Sequence, residues 1–174
     1  MNRLHVYWGE GKGKTTAAMG LALRSLGHGN RVLIGQFIKD GTSGELAALR
    51  QFANAEVCPA EPLYGLATSL PEAERRAAAR AQAAYLVSLQ EKLTAFQPQT
   101  VILDELGMAL FLEMVGEAAA RALIASALIC GETVVTGRYA PAWLLEQADY
   151  VSRIDAMKHP YLTEGLKARQ GVEW

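Results

Sequence analysis

Trp8-Gly9-Glu10-Gly11-Lys12-Gly13-Lys14-Thr15-Thr16 is the stretch whose reading decides the fold. Its glycines remove Cβ atoms where a chain must turn tightly and present its amides to an anion. Lys14 supplies a compact positive charge for β/γ-phosphates, and the Thr15 hydroxyl suits Mg²⁺. The flanks agree with this. Residues 3–7 (Arg-Leu-His-Val-Tyr) read as a short strand, and residues 15–26 read as a helix whose N-terminus faces the phosphates. Gly9, Glu10, Gly11, Lys12, Gly13, Lys14, Thr15 and Thr16 are therefore the expected nucleotide contacts. The strict pattern has a glycine five residues before Gly13, where this chain has Trp8. Trp8 either stacks on a flat ligand or packs under the loop, and packing is the expectation.

Bulk properties bound the rest. A chain of 174 residues with 51% hydrophobic content suits one domain with a sizeable core. No apolar run is long enough to span a bilayer, and the chain enters its first strand almost at once, leaving no room for a signal peptide. A net charge of −1 argues against nucleic-acid binding through a general basic face. Cys58 and Cys130 lack metal-ligand spacing and are expected to pack as small apolar residues. The expected compartment is the cytoplasm.

Apolar runs alternate with helical patterns, which predicts a single α/β domain: a mostly parallel central sheet flanked by helices. Beyond the first helix, residues 31–37 read as a buried strand, 39–44 as a polar loop and 45–52 as a short helix. A short strand starts at Glu56, followed by irregular chain through residue 67. Ser69 sits three residues before Glu72, the capping-box spacing, and opens the longest helix. Leu86, Leu89, Leu93 and Phe96 form its inward stripe, Arg75, Arg76 and Arg80 its solvated face, and Pro98 ends it. Strands are expected at 100–103, 132–136 and 150–154, and helices at 116–130 and 141–147.

Val101-Ile102-Leu103-Asp104-Glu105 is an apolar strand ending in two carboxylates. In phosphate-loop folds such a strand lies beside the first, so Asp104 and Glu105 face the phosphates. One can hold Mg²⁺ with Thr15, and the other can orient water or a substrate group. Thr136-Gly137-Arg138 ends the next strand at the same sheet edge. Arg138 reads equally as a bidentate phosphate contact or as a loop arginine paired to a surface carboxylate. For Arg24, on the first helix, the residues alone favour a solvated position. Trp143 reads as core, Trp174 carries no motif, and a lone His159 in Lys158-His159-Pro160-Tyr161 has little weight as a ligand.

Taken in order, the motifs resemble the phosphate-loop type of ATP:corrinoid adenosyltransferase. The resemblance runs through Gly9–Ala18, the Arg24–Gly29 stretch, Gln36-Phe37-Ile38-Lys39, Leu103-Asp104-Glu105-Leu106, Thr136-Gly137-Arg138, Ala148-Asp149, Lys158-His159-Pro160-Tyr161 and the ending from Gly165 to Glu173. It implies a RecA-like fold, a homodimer, and ATP with Mg²⁺ or Mn²⁺. The implied reaction is attack of a reduced Co(I) corrinoid on C5′ of ATP, with triphosphate leaving. A reductase or flavodoxin-type electron donor is implied as partner. Among the site residues, Lys14 and Glu105 are the implied catalytic groups, Thr15, Asp104 and Glu105 the metal ligands, and Arg24 and Arg138 nucleotide contacts. The chain departs from the family at one place. Where members usually carry Gly-Phe-Thr-Trp, residues 59–68 have no Phe or Trp, leaving Tyr64 and Leu66 as the available substitutes. The usual N-terminal extension is also lacking. An ATPase or small phosphotransferase, and a non-catalytic nucleotide-binding paralogue, are the competing readings.

Overall fold

Val32–Gln36 and Thr100–Asp104 are buried at every position, a state strands reach when a layer of helices covers each face. The computed structural model describes residues 1–39, 41–60 and 71–172. Its strands are β1 (Leu4–Trp8), β2 (Val32–Gln36), β3 (Ala55–Pro59), β4 (Thr100–Asp104), β5 (Glu132–Gly137) and β6 (Tyr150–Arg153). Its helices are α1 (Lys14–Gly27), α2 (Gly44–Leu49), α3 (Glu72–Phe96), α4 (Leu106–Phe111), α5 (Glu117–Cys130), α6 (Ala142–Gln147) and α7 (Pro160–Glu164). The six-stranded sheet has the order β3-β2-β4-β5-β1-β6, and every pairing is parallel, beyond the mostly parallel expectation.

That order corrects one expectation. β4 does not lie beside β1, because β5 pairs with both and stands between them. The carboxylate strand still meets the loop, because α1 packs across β4 and β5. Two other helices escaped the pattern, α4 and α7. The first is six residues of mostly apolar chain, too short for helical periodicity to emerge.

Each sheet face has its own core. On one, Leu86, Leu89 and Leu93 of α3 pack with Leu123 and Ile124 of α5, Leu106 of α4 and Leu144 of α6. On the other, Ala18, Met19, Ala22 and Leu26 of α1 join Leu46 and Leu49 of α2 over Ile34, Ile102 and Val134. Each fully buried Leu or Ile contributes roughly 1.5–3 kcal/mol. The α3 stripe is as expected, with Phe96 partly buried at its end and Gln97 in a left-handed conformation closing the helix ahead of Pro98. Its Arg75 and Arg76 are exposed and pair with Glu72. The Ser69 cap, Tyr64, Leu66, Glu173 and Trp174 lie outside the described residues. Trp143 is only partly buried, with the Arg121 guanidinium 4.0 Å over its ring, so Leu144 rather than Trp143 is the core residue of α6. Cys58 is buried and its thiol is pushed up to about 11, chiefly by desolvation, whereas Cys130 is half-buried. Among the described residues no helix is long and apolar enough to cross a membrane.

Candidate nucleotide and metal site

The loop after β1 gets its shape from its glycines. Gly9 has φ +112°, and a Cβ there would lie 2.6 Å from the Ile154 carbonyl oxygen. Gly11 donates its amide to that same oxygen at 2.7 Å. The loop is thereby pinned against the chain leaving β6. Gly13 caps α1 at φ 118° with no side chain over the helix end. The first amides of α1 have no intrahelical acceptor, and the helix dipole adds partial positive charge there. This is anion-binding backbone. Trp8 packs against the larger core, as expected of it, with the Arg153 guanidinium 5.2 Å over its ring.

Across from the loop, Asp104 is fully buried and holds four hydrogen bonds. Its Oδ1 accepts from Thr15 Oγ1 at 2.8 Å and from Thr136 Oγ1 at 2.7 Å. Its Oδ2 accepts from Gln36 Nε2 at 3.0 Å and from Lys39 Nζ at 3.0 Å. Burial pushes this carboxyl up, but the Lys39 charge and the hydrogen bonds outweigh it and hold the group below the usual carboxylate range. Glu105 follows with φ 62°, and Thr136 Oγ1 accepts its amide at 3.0 Å. Gly137 lets this corner close. A Cβ on it would lie 2.7 Å from Gly107 Cα and 2.8 Å from the Tyr139 carbonyl oxygen.

The sequence places Lys39 in a polar loop and in the Gln36–Lys39 motif of the family resemblance, without marking it as a site residue. Its ammonium lies 3.0 Å from Asp104 Oδ2, 3.3 Å from Glu105 Oε1 and 3.2 Å from Thr15 Oγ1. Desolvation lowers its pKa, and the Asp104 and Glu105 charges more than offset that, leaving it raised. The preceding Ile38 has φ 50°, a left-handed conformation that costs a β-branched residue about 1–3 kcal/mol. Gln36 and Thr136 were likewise overlooked as site residues. Their signal was position, since each sits at the carboxyl end of a central parallel strand. Gln36 Oε1 is buried and has no hydrogen-bond partner among the described residues.

Lys14 points elsewhere. Its Nζ donates to the Gly11 carbonyl oxygen at 2.7 Å, and desolvation lowers its pKa. Arg138 is exposed and forms an ion pair with Glu10 of the loop, whose carboxyl this partner lowers. Arg24 is exposed in the last turn of α1, roughly 15 Å along the axis from Lys14, and does not line the cavity. His159 caps α7, its Nδ1 accepting from the Tyr161 amide at 3.3 Å.

Loop and corner enclose a cavity of about 790 Å³ lined by Gly11–Thr16, Gln36, Lys39, Glu105 and the C-terminal Gly171-Val172. Such a volume admits a nucleotide. A second cavity of about 420 Å³ is more apolar, lined by Leu110, Phe111, Tyr139 and Trp143. Among the described residues no three His, Cys, Asp or Glu side chains converge as a metal cage. The hard oxygens of Thr15, Asp104 and Glu105 do converge on one cation, the Lys39 ammonium. That donor set fits Mg²⁺ or Mn²⁺ completed by phosphate oxygens and water.

Comparison with known proteins agrees with this geometry. The family described as ATP:corrinoid adenosyltransferase BtuR/CobO/CobP matches residues 1–174. A corrinoid adenosyltransferase of Pseudomonas aeruginosa is 36% identical over 182 residues, spanning 98% of this chain and 83% of the relative. One from Sinorhizobium sp. is 32% identical over 95% of this chain and 77% of its own length. Corrinoid adenosyltransferase CobA of Salmonella typhimurium is 30% identical, over 97% and 84% respectively. With the family matched over residues 1–174 and a relative 36% identical across 98% of this chain, the protein belongs to the ATP:corrinoid adenosyltransferase family.

Proposed function

We propose that this protein transfers the 5′-deoxyadenosyl group of ATP to the cobalt of a reduced Co(I) corrinoid, releasing triphosphate, in cobalamin biosynthesis or salvage. The observation carrying the site assignment is the Thr15–Asp104 hydrogen bond, which joins the phosphate loop to the carboxylate corner behind a cavity that Thr15 and Glu105 line. The amides of residues 9–16 and the N-terminus of α1 wrap the phosphates. Lys14 exchanges the Gly11 carbonyl for a phosphate oxygen. Thr15, Asp104 and Glu105 would hold Mg²⁺ or Mn²⁺, whose charge would stabilise the departing triphosphate.

The corrinoid is a substrate and brings its own electron pair. Co(I) attacks C5′, the Co–C bond forms, and the C5′–O bond breaks with its electrons leaving on triphosphate. No proton moves in that step, so no side chain acts as base or covalent nucleophile. The protein's task is alignment and exclusion of water. Glu10 and Arg138 form the outer wall of the loop, where Arg138 can turn from Glu10 to a phosphate. A homodimer and a reductase or flavodoxin-type donor are part of this reading, supported by the family pattern. Co(I) chemistry needs a reducing compartment, which makes the cytoplasm the expected setting.

An anaerobic assay with ATP, Mg²⁺ and chemically reduced Co(I) corrinoid tests the proposal. A light-sensitive adenosylcorrinoid formed with stoichiometric triphosphate supports it. Orthophosphate without a cobalt–carbon product, or ATP binding without turnover, rejects it in favour of an ATPase or an inactive paralogue.

A further inference from the structure

We propose that Lys39 is a resident cation of the metal site: its ammonium holds the Thr15, Asp104 and Glu105 oxygens in the nucleotide-free protein and yields them to the divalent ion that arrives with ATP. This rests on the reading of those three residues as metal ligands.

Four observations carry it. First, the Lys39 ammonium lies within 3.3 Å of one oxygen from each of the three residues, the position a shared metal ion needs. Second, the phosphate-loop lysine leaves that place open to it, because Lys14 is turned to the Gly11 carbonyl. Third, the backbone is bent to deliver Lys39. Ile38 takes its left-handed φ of 50°, the Lys39 amide donates to the Phe37 carbonyl at 2.6 Å, and the buried Gln82 accepts the Ile38 amide at 3.4 Å. Strained backbone of this kind gathers at functional positions. Fourth, the bonds on Asp104 differ in how easily they are lost. Thr136 and Gln36 are buried and fixed by their strands, whereas Lys39 is half-exposed on a four-carbon stem. Each oxygen of Asp104 already accepts two hydrogen bonds, so a metal approaching Oδ2 takes the place of its mobile partner.

An ammonium and a divalent ion cannot share these oxygens. Mg²⁺ binds its ligands at about 2.0–2.1 Å, which would press two positive charges together in a partly desolvated corner. The arrangement links metal to nucleotide. Without ATP, Lys39 neutralises the adjacent carboxylates and competes with free metal. With ATP, phosphate charge favours the divalent ion and offers the released ammonium another anion. By reciprocity the metal and the nucleotide then raise each other's affinity.

The test is a Mn²⁺ titration, read by the electron paramagnetic resonance of free Mn²⁺, on wild type, Lys39→Met, Lys39→Gln and Lys39→Arg. Each is measured alone and with a non-hydrolysable ATP analogue, and thermal melting with and without Mn²⁺ reports the folded fraction. The neutral variants should bind Mn²⁺ without nucleotide about tenfold more tightly than wild type, since a neighbouring charge shifts a carboxylate's proton affinity by about one to three pKa units. They should also melt lower than wild type and recover on adding Mn²⁺, while Lys39→Arg keeps the wild-type exclusion. If wild type with nucleotide holds one Mn²⁺ but the neutral variants gain no affinity without it, the exchange is wrong and the metal ligands stand. If no form binds Mn²⁺ even with nucleotide, the metal reading falls and the exchange falls with it.

Discussion

The phosphate loop and the carboxylate corner face each other across one cavity, but they are built in opposite ways. The loop is contiguous chain that acts through backbone amides, pinned by Gly11 to the Ile154 carbonyl, and its Lys14 holds no carboxylate. The corner gathers one side chain each from β2, the 37–39 turn, β5 and α1 onto Asp104, fully buried at the end of β4. A site made of amides is tolerant in stability and demanding only toward its ligand. A site made of converging buried side chains is also part of the core. Function and stability should therefore separate at the loop and travel together at the corner.

Lys14→Ala is the widest test of that separation. Adenosyl transfer should fall by at least about a hundredfold, the usual cost of removing a group that stabilises developing negative charge. Unfolding free energy should fall by no more than about 1 kcal/mol, because the one hydrogen bond lost is to the Gly11 carbonyl, which borders the cavity where water can replace the ammonium. Transfer near the wild-type rate would remove Lys14 from the site. Asp104→Ala should give the opposite pairing. It strips acceptors from Lys39, Thr136, Gln36 and Thr15 together, and urea denaturation should show a loss of about 3 kcal/mol alongside the loss of transfer. A loss under about 1 kcal/mol would mean that the corner is no more structural than the loop, and the contrast would dissolve.

The same contrast explains what the sequence made legible. A loop whose chemistry lies in consecutive residues can be read directly, and so can a carboxylate at the end of an apolar strand such as Val101–Asp104. The corner's other members depend on which strands are neighbours. The motif tells nothing of β5 standing between β1 and β4, and without that order Thr136 is one strand-end threonine among several. Lys39 was harder still. Its delivery depends on a left-handed Ile38, a conformation β-branched residues avoid, so no local propensity announces it. Arg24 shows the reverse: the family pattern marks it, while the fold leaves it in solvent.

Gly137→Ala probes the closure of the corner without touching its charges. The added Cβ would meet Gly107 Cα, the Tyr139 carbonyl and the Met108 amide nitrogen at 2.7–2.9 Å, all backbone atoms. Main chain must shift to admit it, so a cost of about 2 kcal/mol is expected in urea denaturation. Gly13→Ala is its counterpart in the loop. No heavy atom lies within 4 Å of that Cβ, and only the φ of +118° is strained, so the loss should be smaller, about 1 kcal/mol. Equal costs would show that crowding does not distinguish the halves.

The smallest effect concerns what stands behind the loop. Asp149 accepts the Leu4 amide at 2.9 Å and Arg3 Nη1 at 2.6 Å, tying the start of β1 to the turn that feeds β6. β6 is exposed along its length, yet it ends at the Ile154 carbonyl that holds Gly11. The Leu4 amide and then the Arg3 guanidinium hold the Asp149 carboxyl below its ordinary value of 3.8. A carboxyl with a depressed folded pKa contributes its stability fully above the unfolded value and loses it as pH falls through the folded one. Wild type should therefore weaken as pH drops below about 4, the ordinary aspartate range. Asp149→Asn, with no proton to gain, should show a shallower acid limb in urea midpoints measured from pH 7 to pH 3. Because the group is largely in solvent, the difference should be far smaller than the Asp104→Ala loss. Identical acid limbs would mean that the β1–β6 tie does not support the loop through its charge, leaving the Gly11–Ile154 bond and the packed glycines as what holds it in place.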